Sequence, residues 1–181
     1  VVSDIQHRLQ FRQENVFRMS FERKNLAYVV RHTEDKESEL LHILQRVDGS
    51  GIVYTRNRKK TKEISLFLNR NHITATFYHA GLNDETKDSR QKAWLKGEFR
   101  VMVATHAVGM GIDKPDVRVV IHADVPDAPE AYFQEAGRAG RDGMKAYAVL
   151  LFCARDKITL KQRVSDTFPE KSYIRKIYED I

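Results

Sequence analysis

Six short apolar runs recur along this chain, at 26–30, 51–55, 74–78, 101–104, 117–121 and 147–152. Each is separated from the next by enough residues for a helix or a long crossover. A two-residue turn can only join antiparallel strands, whereas parallel strands need a connection of a dozen residues or more. The spacing therefore predicts a mostly parallel sheet covered by helices on both faces, a three-layer α/β/α arrangement. The run at 117–121 is continuous enough to be buried on both sides. The longest apolar stretch, 146–154, is strand-sized and far short of the roughly 18 residues that suggest a bilayer span.

The intervening segments carry helical signals. Residues 39–47 place Leu40, Ile43, Leu44 and Val47 on one face. A second helix carries Ile64, Phe67 and Leu68. Asn83 can cap a third, with Asp84 and Glu85 in its first turn and Trp94 and Leu95 directed at the core. A fourth covers 130–136. The tail from 157 to 181 reads as helical with a break near Phe168 and Pro169, and residues 1 to about 20 read as a helix and linker from a preceding unit.

With 181 residues and 41% hydrophobic content, the chain suits one domain with an appendage. A lone cysteine, Cys153, supports neither a disulfide framework nor a multi-cysteine zinc site. The first residues show no secretory signal pattern and no initiator methionine, as expected of a piece of a longer protein in a reducing, cytoplasmic setting. The net charge of +6 favours a polyanionic partner.

Two stretches carry chemistry. In Gln134-Glu135-Ala136-Gly137-Arg138-Ala139-Gly140-Arg141-Asp142-Gly143, two arginines stand three residues apart in a glycine-rich frame. Arginine presents a planar fork of donors suited to phosphate, and glycine lets the backbone approach a ligand. In Thr105 to Asp116, two glycines flank Met110, Thr105 can donate to a phosphate, and Asp113 can accept from sugar hydroxyls or simply cap a turn. Ligands of parallel sheets sit beyond the carboxyl ends of the strands. The loops 55–60, 79–82 and 105–115, together with the arginine run, are all expected at that edge.

Taken together these stretches resemble the second RecA-like lobe of superfamily 2 helicases, specifically the RecQ family of DNA helicases, over roughly residues 15–155. Gly109 through Arg118 resembles motif V and Gln134 through Gly143 motif VI. Gly51 through Arg58 is similar to motif IV, and Tyr78-His79-Ala80-Gly81-Leu82 to motif IVa; Ser20-Phe21 and Asn25-Leu26 match the entry into the lobe. The resemblance implies a P-loop NTPase-type lobe over 21–155, preceded by a linker (1–20) and followed by a helical extension (156–181). It implies Arg141 as the arginine finger reaching a γ-phosphate, Arg138 as its partner, and Gln134 as a coupling residue. Asp113 would contact ribose, and Gly111 would leave room for the nucleotide. Arg58 and Thr105, then Asn57 and His79, would contact the DNA backbone, with Lys59, Lys60 and Lys62 adding charge.

Plainer readings stand beside these. Arg138 can form an internal ion pair with Glu135, and His79 can be a satisfied strand-end residue. His122 reads as structural, Tyr132 and Phe133 as mostly core, and Cys153 as a small buried hydrophobe. The chain departs from the family pattern at Thr55, Asn57, Val108 and Arg23-Lys24. It contains no Gly-x-x-x-x-Gly-Lys-Ser/Thr and no Asp-Glu-x-His. ATP and Mg²⁺ would therefore be held mainly by a first lobe, no metal would be bound here, and the fragment alone is not expected to hydrolyse ATP. The implied partners are single-stranded or forked DNA and that first lobe, with no membrane, in bacterial cytoplasm or nucleoid. Two rivals remain. A DEAD-box-type RNA helicase lobe shares the arginine spacing but usually begins the last motif with histidine, and a non-catalytic nucleic-acid-binding module would keep the lobe without turnover.

Overall fold

The computed structural model describes residues 1–13, 16–17, 20, 22–105 and 113–179. In chain order the elements are α1 (Val2–Arg8), β1 (Leu26–His32), α2 (Lys36–Arg46), β2 (Ser50–Tyr54), α3 (Arg58–Arg70), β3 (Ala75–Tyr78) and α4 (Asp84–Leu95). They continue with β4 (Val101–Ala104), β5 (Val117–His122), α5 (Pro129–Ala136), β6 (Ala146–Phe152), α6 (Ala154–Thr167) and α7 (Lys171–Glu179). The six strands form one sheet in the order β1-β6-β5-β2-β4-β3, and every pairing is parallel. The expected three-layer fold is what forms.

Strand periodicity divides the core in two. On one face Leu40 and Leu44 of α2 and Ile64 and Leu68 of α3 cover Val53, Val103, Val119 and Ile121. On the other, Trp94 of α4 and Ala136 of α5 cover Ile52, Met102, Val120 and Ala148. Three helices begin at side-chain caps facing the same way: Asp35 accepts from the Ser38 amide at 3.0 Å, Asn57 from the Lys59 amide at 2.8 Å and Asn83 from the Thr86 amide at 2.9 Å. Each satisfies an amide that the first helical turn leaves without a partner.

Three sequence expectations need correction. Leu95 faces solvent, because Trp94 alone fills the slot under α4. Phe133 is 57% exposed, since α5 presents Glu135 and Ala136 to the sheet and turns Phe133 outward. Cys153 is only half-buried, as the residue from which α6 starts.

The arginine run lies at the amino edge of the sheet, not at the carboxyl edge expected from sequence. Parallel strands oblige each crossover to start at the carboxyl edge and finish at the amino edge. Because α5 makes that return between β5 and β6, the residues after it close against the amino ends of the strands. The Gly140 amide donates to Val117 O at 2.8 Å, the Asp142 amide to Pro115 O at 3.2 Å, and the Ala146 amide to Asn25 O at 2.9 Å. Residues 113–116 lead into β5 at the same edge. Only 55–60, 79–82 and Thr105 occupy the carboxyl edge as expected; 106–112 lie outside the described residues.

Candidate nucleotide and nucleic-acid sites

At the amino edge the arginine turn is held from outside. Arg23 reaches across with its guanidinium and donates to Gly137 O (3.3 Å), Ala139 O (2.9 Å) and Gly140 O (2.6 Å). Asn25 Nδ2 also donates to Gly140 O (2.8 Å) and to Met144 O (2.9 Å). Gly140 has φ +61°, and a Cβ there would lie 2.7 Å from Asn25 Nδ2 and 2.8 Å from Met144 O, so only glycine closes this turn without displacing its clamp. Arg118 binds Asp142 (2.5 Å), and this hydrogen bond holds the Asp142 carboxyl below its ordinary range.

Held in this way, the turn brings two of the expected residues together. Arg141 Nη1 lies 2.9 Å from Asp113 Oδ1, with side chains 39% and 79% exposed. The guanidinium therefore already grips an anionic oxygen, and an exposed ion pair of this kind is weak enough to exchange for another anion. A phosphate oxygen fits the same donors. Arg138 is different, because its side chain is buried. Its charge acts on the phenol of Tyr54, although burial is the larger influence and pushes that phenol well above its ordinary range. Gln134 is exposed and lines a surface cavity of about 870 Å³ with Arg23, Tyr28, Phe133 and Gly137. Gly111 lies outside the described residues.

Between the edges runs a buried polar link. His122, at the end of β5, shares a hydrogen bond of 2.9 Å between its Nε2 and Glu135 Oε2 on α5. Its ring stacks on Tyr54 at 5.3 Å and lies 4.8 Å from that of Tyr132. A structural His122 is thus what the packing shows, and Tyr132 is half-buried.

At the carboxyl edge the ends of four strands stand in a row. The Thr105 amide donates to Tyr78 O (3.3 Å), the Thr55 amide to Ala104 O (2.9 Å) and the Ala123 amide to Tyr54 O (2.9 Å). Along that row Asn57 caps α3 and Arg58 opens it. Arg58 and His79 meet over Gly81, where a Cβ would lie 2.9 Å from Arg58 Nη1 and 3.4 Å from His79 Nδ1. Burial lowers the His79 pKa, and Arg58, Arg90 and Lys87 lower it further against an opposing backbone hydrogen bond. Arg90 stacks 3.8 Å over the Phe77 ring and donates to Phe77 O at 2.8 Å. The four expected DNA-contacting residues thus share one edge. For Asn57 the side-chain oxygen is already committed to the cap.

The model of the helicase conserved C-terminal domain matches residues 35–143. The chain belongs to that family. This helicase lobe is 43% identical over 157 residues to the ATP-dependent DNA helicase RecQ of Bacillus subtilis, covering 86% of the lobe and 27% of the relative. It is 39% identical over 171 residues to the RecQ-like DNA helicase blm-1 of Caenorhabditis elegans, covering 92% of the lobe and 17% of the relative. The RecQ resemblance carried by the motifs is borne out. The lobe spans about a quarter or less of the length of these relatives. Among solved structures it superposes on the DEAD-box protein SrmB of E. coli with a TM-score of 0.69 and 27% identity, covering 82% of the lobe and 89% of that chain.

Sequence reasoning missed the residues that position this helicase lobe's motifs. Arg23 was visible only as a departure from an Arg-Pro pair, and its role depends on partners more than 110 positions away. Asp124 gave no signal at all, although it accepts from Thr55 Oγ1, the Arg56 amide and Lys60 Nζ.

Proposed function

We propose that this chain is the second motor lobe of an ATP-dependent, 3′-to-5′ DNA helicase of RecQ type. The observation that carries the reading is the meeting of motifs V and VI at the Arg141–Asp113 pair, 2.9 Å apart, on an exposed part of the amino edge. In that role Arg141 exchanges Asp113 for the γ-phosphate of ATP held by a first lobe, and Asp113 is released toward the ribose. Arg138 stays buried and supports the turn electrostatically; Gln134 faces the opposite lobe. ATP bound with Mg²⁺ supplies the phosphoryl group whose transfer drives the cycle. The sequence carries neither a Gly-x-x-x-x-Gly-Lys-Ser/Thr cradle nor an Asp-Glu-x-His motif, so the ion's ligands are assigned to the first lobe and the lobe alone to no turnover.

Arg58, Thr105 and His79, with Asn57 behind them, form the DNA track on the carboxyl edge. They contact phosphates and so give grip without sequence choice. Alternating grip on one strand of single-stranded or forked DNA then becomes directional movement. We assign residues 21–155 to the motor lobe, 1–20 to the linker and 156–181 to an extension, and we place the protein in the cytoplasm or nucleoid.

A second reading, an RNA helicase lobe, draws on the DEAD-box likeness and on a mimivirus relative, 36% identical over 167 residues, named a putative ATP-dependent RNA helicase. The test is unwinding by the full-length protein of matched duplexes: DNA with a 3′ tail, DNA with a 5′ tail, and RNA. Activity confined to 3′-tailed DNA is expected. Preference for RNA would favour the second reading, and full-length protein without ATP-driven unwinding of any duplex would leave a binding module.

A further inference from the structure

Asp124 sits where a carboxylate ought to be unwelcome. It lies against Arg56 and Lys60, on the edge assigned above to a polyanion. A negative charge within a Debye length of a bound phosphate weakens binding by simple repulsion. Yet this carboxylate is largely withdrawn from solvent and fully engaged. Its Oδ2 accepts from Thr55 Oγ1 (2.7 Å) and the Arg56 amide (3.1 Å), and its Oδ1 pairs with Lys60 Nζ (3.1 Å). Burial pushes its pKa up, but the Thr55, Arg56 and Lys60 contacts outweigh that and hold it below the ordinary carboxylate range. Charge-assisted bonds of this kind are the strong ones.

The three partners bracket the turn that closes motif IV: Thr55 directly after β2, Arg56 in the turn, and Lys60 in the first turn of α3. Arg56 is further tied to Asp127, which also receives Arg163 of α6 at 3.4 Å. The segment bearing Asp124 is itself fixed, since Lys36 Nζ donates to Ala123 O (2.8 Å) and to Asp156 (2.7 Å). Arg56 and Lys60 are thereby neutralised and immobilised, whereas Arg58, between them in sequence, makes no ion pair among the described residues and stands over Gly81.

The geometry points to Asp124 as a positioning residue: its carboxylate fixes the motif IV turn so that Arg58 is aimed at a DNA phosphate. This rests on the reading of motif IV as a DNA contact. Pure electrostatics and positioning predict opposite signs for its removal. Deleting a negative charge beside a phosphate should tighten binding, but losing the fixed turn should weaken it.

The experiment measures affinity of the full-length protein for a single-stranded oligothymidylate by fluorescence anisotropy across a salt series. The variants are D124A, D124N, R58A and the D124A/R58A double variant, each checked by thermal melting. D124A is expected to bind roughly tenfold more weakly, about the effect of one charge-assisted hydrogen bond, with a salt slope shallower by about one phosphate contact. D124N keeps an acceptor for Thr55 or Arg56 and falls between D124A and wild type. The double variant binds no more weakly than R58A alone, because both remove the same contact. Equal or tighter binding by D124A overturns the proposal, and D124N decides on the same criterion should D124A fail to fold. Additive losses in the double variant also overturn it. If R58A binds like wild type, the reading of motif IV as a DNA contact falls; if R58A weakens binding and D124A does not, only the role of Asp124 falls.

Discussion

A Cβ at position 81 would lie 2.9 Å from Arg58 Nη1 and 3.4 Å from His79 Nδ1, and both atoms belong to side chains rather than backbone. Arg58 can swing away, so Gly81→Ala should leave the fold intact while moving the guanidinium off its position. We expect the melting temperature of G81A to stay close to wild type while affinity for single-stranded DNA falls roughly threefold to tenfold, the range of one displaced phosphate contact. Circular dichroism melting and anisotropy titration check the two halves separately. A variant that melts early without losing affinity when folded would assign Gly81 to stability alone. The contrast with Gly140 is physical: there the neighbours include Met144 O and Ala146 Cβ at 2.8 Å, atoms the backbone cannot move cheaply, and φ is +61°. The first glycine makes room for a charged side chain; the second makes the turn possible.

At the scale of elements, α5 and its following turn depend on a clamp supplied from the other end of the chain. Arg23 fills three carbonyl acceptors of the turn, and Asn25 two. Arg23→Ala should leave those acceptors to water and loosen the turn ahead of the sheet. Amide exchange at 137–141 is expected to quicken by tenfold or more, with only a few degrees lost in global melting. Hydrogen-exchange mass spectrometry reads this directly, and unchanged protection across 137–141 would remove Arg23 from that role. The strands themselves were legible because parallel strands read as short apolar runs, even β1 at the exposed sheet edge, and all six lie within two residues of where the runs place them. The Asn83 cap and Trp94 were legible from local pattern too, because a cap and a helical core position are set by residues within a few turns. What was not legible depends on direction and distance. The edge on which motif VI lies follows from the return path of α5, not from its residues, and the partners of Arg23 and Asp124 lie 64 to 117 positions away. Phe133 misled because helical spacing alone does not say which stripe of a short helix meets the sheet.

Across the whole molecule the parallel topology separates two tasks. Every crossover must span the sheet, so a chain segment that leaves one strand at the carboxyl edge re-enters at the amino edge. Motifs IV and IVa place Arg58 and His79 at one edge, beside Thr105 at the end of β4, while Asp113 and Arg141 meet at the other. The buried contact of His122 with Glu135, and of its ring with Tyr54, joins the strand that ends in motif IV to the helix that carries motif VI. A lobe built this way can hold a polyanion on one edge and offer a cation to a nucleotide on the other. In the proposed role Arg141 acts on phosphate bound outside this lobe. The most direct measurement is the DNA-stimulated ATPase of the full-length protein with Arg141→Ala. A fall in kcat of about 10³-fold or more is expected, the range of an arginine finger, with the KM for ATP much less affected because the first lobe does most of the holding. A rate near that of the wild type would contradict it.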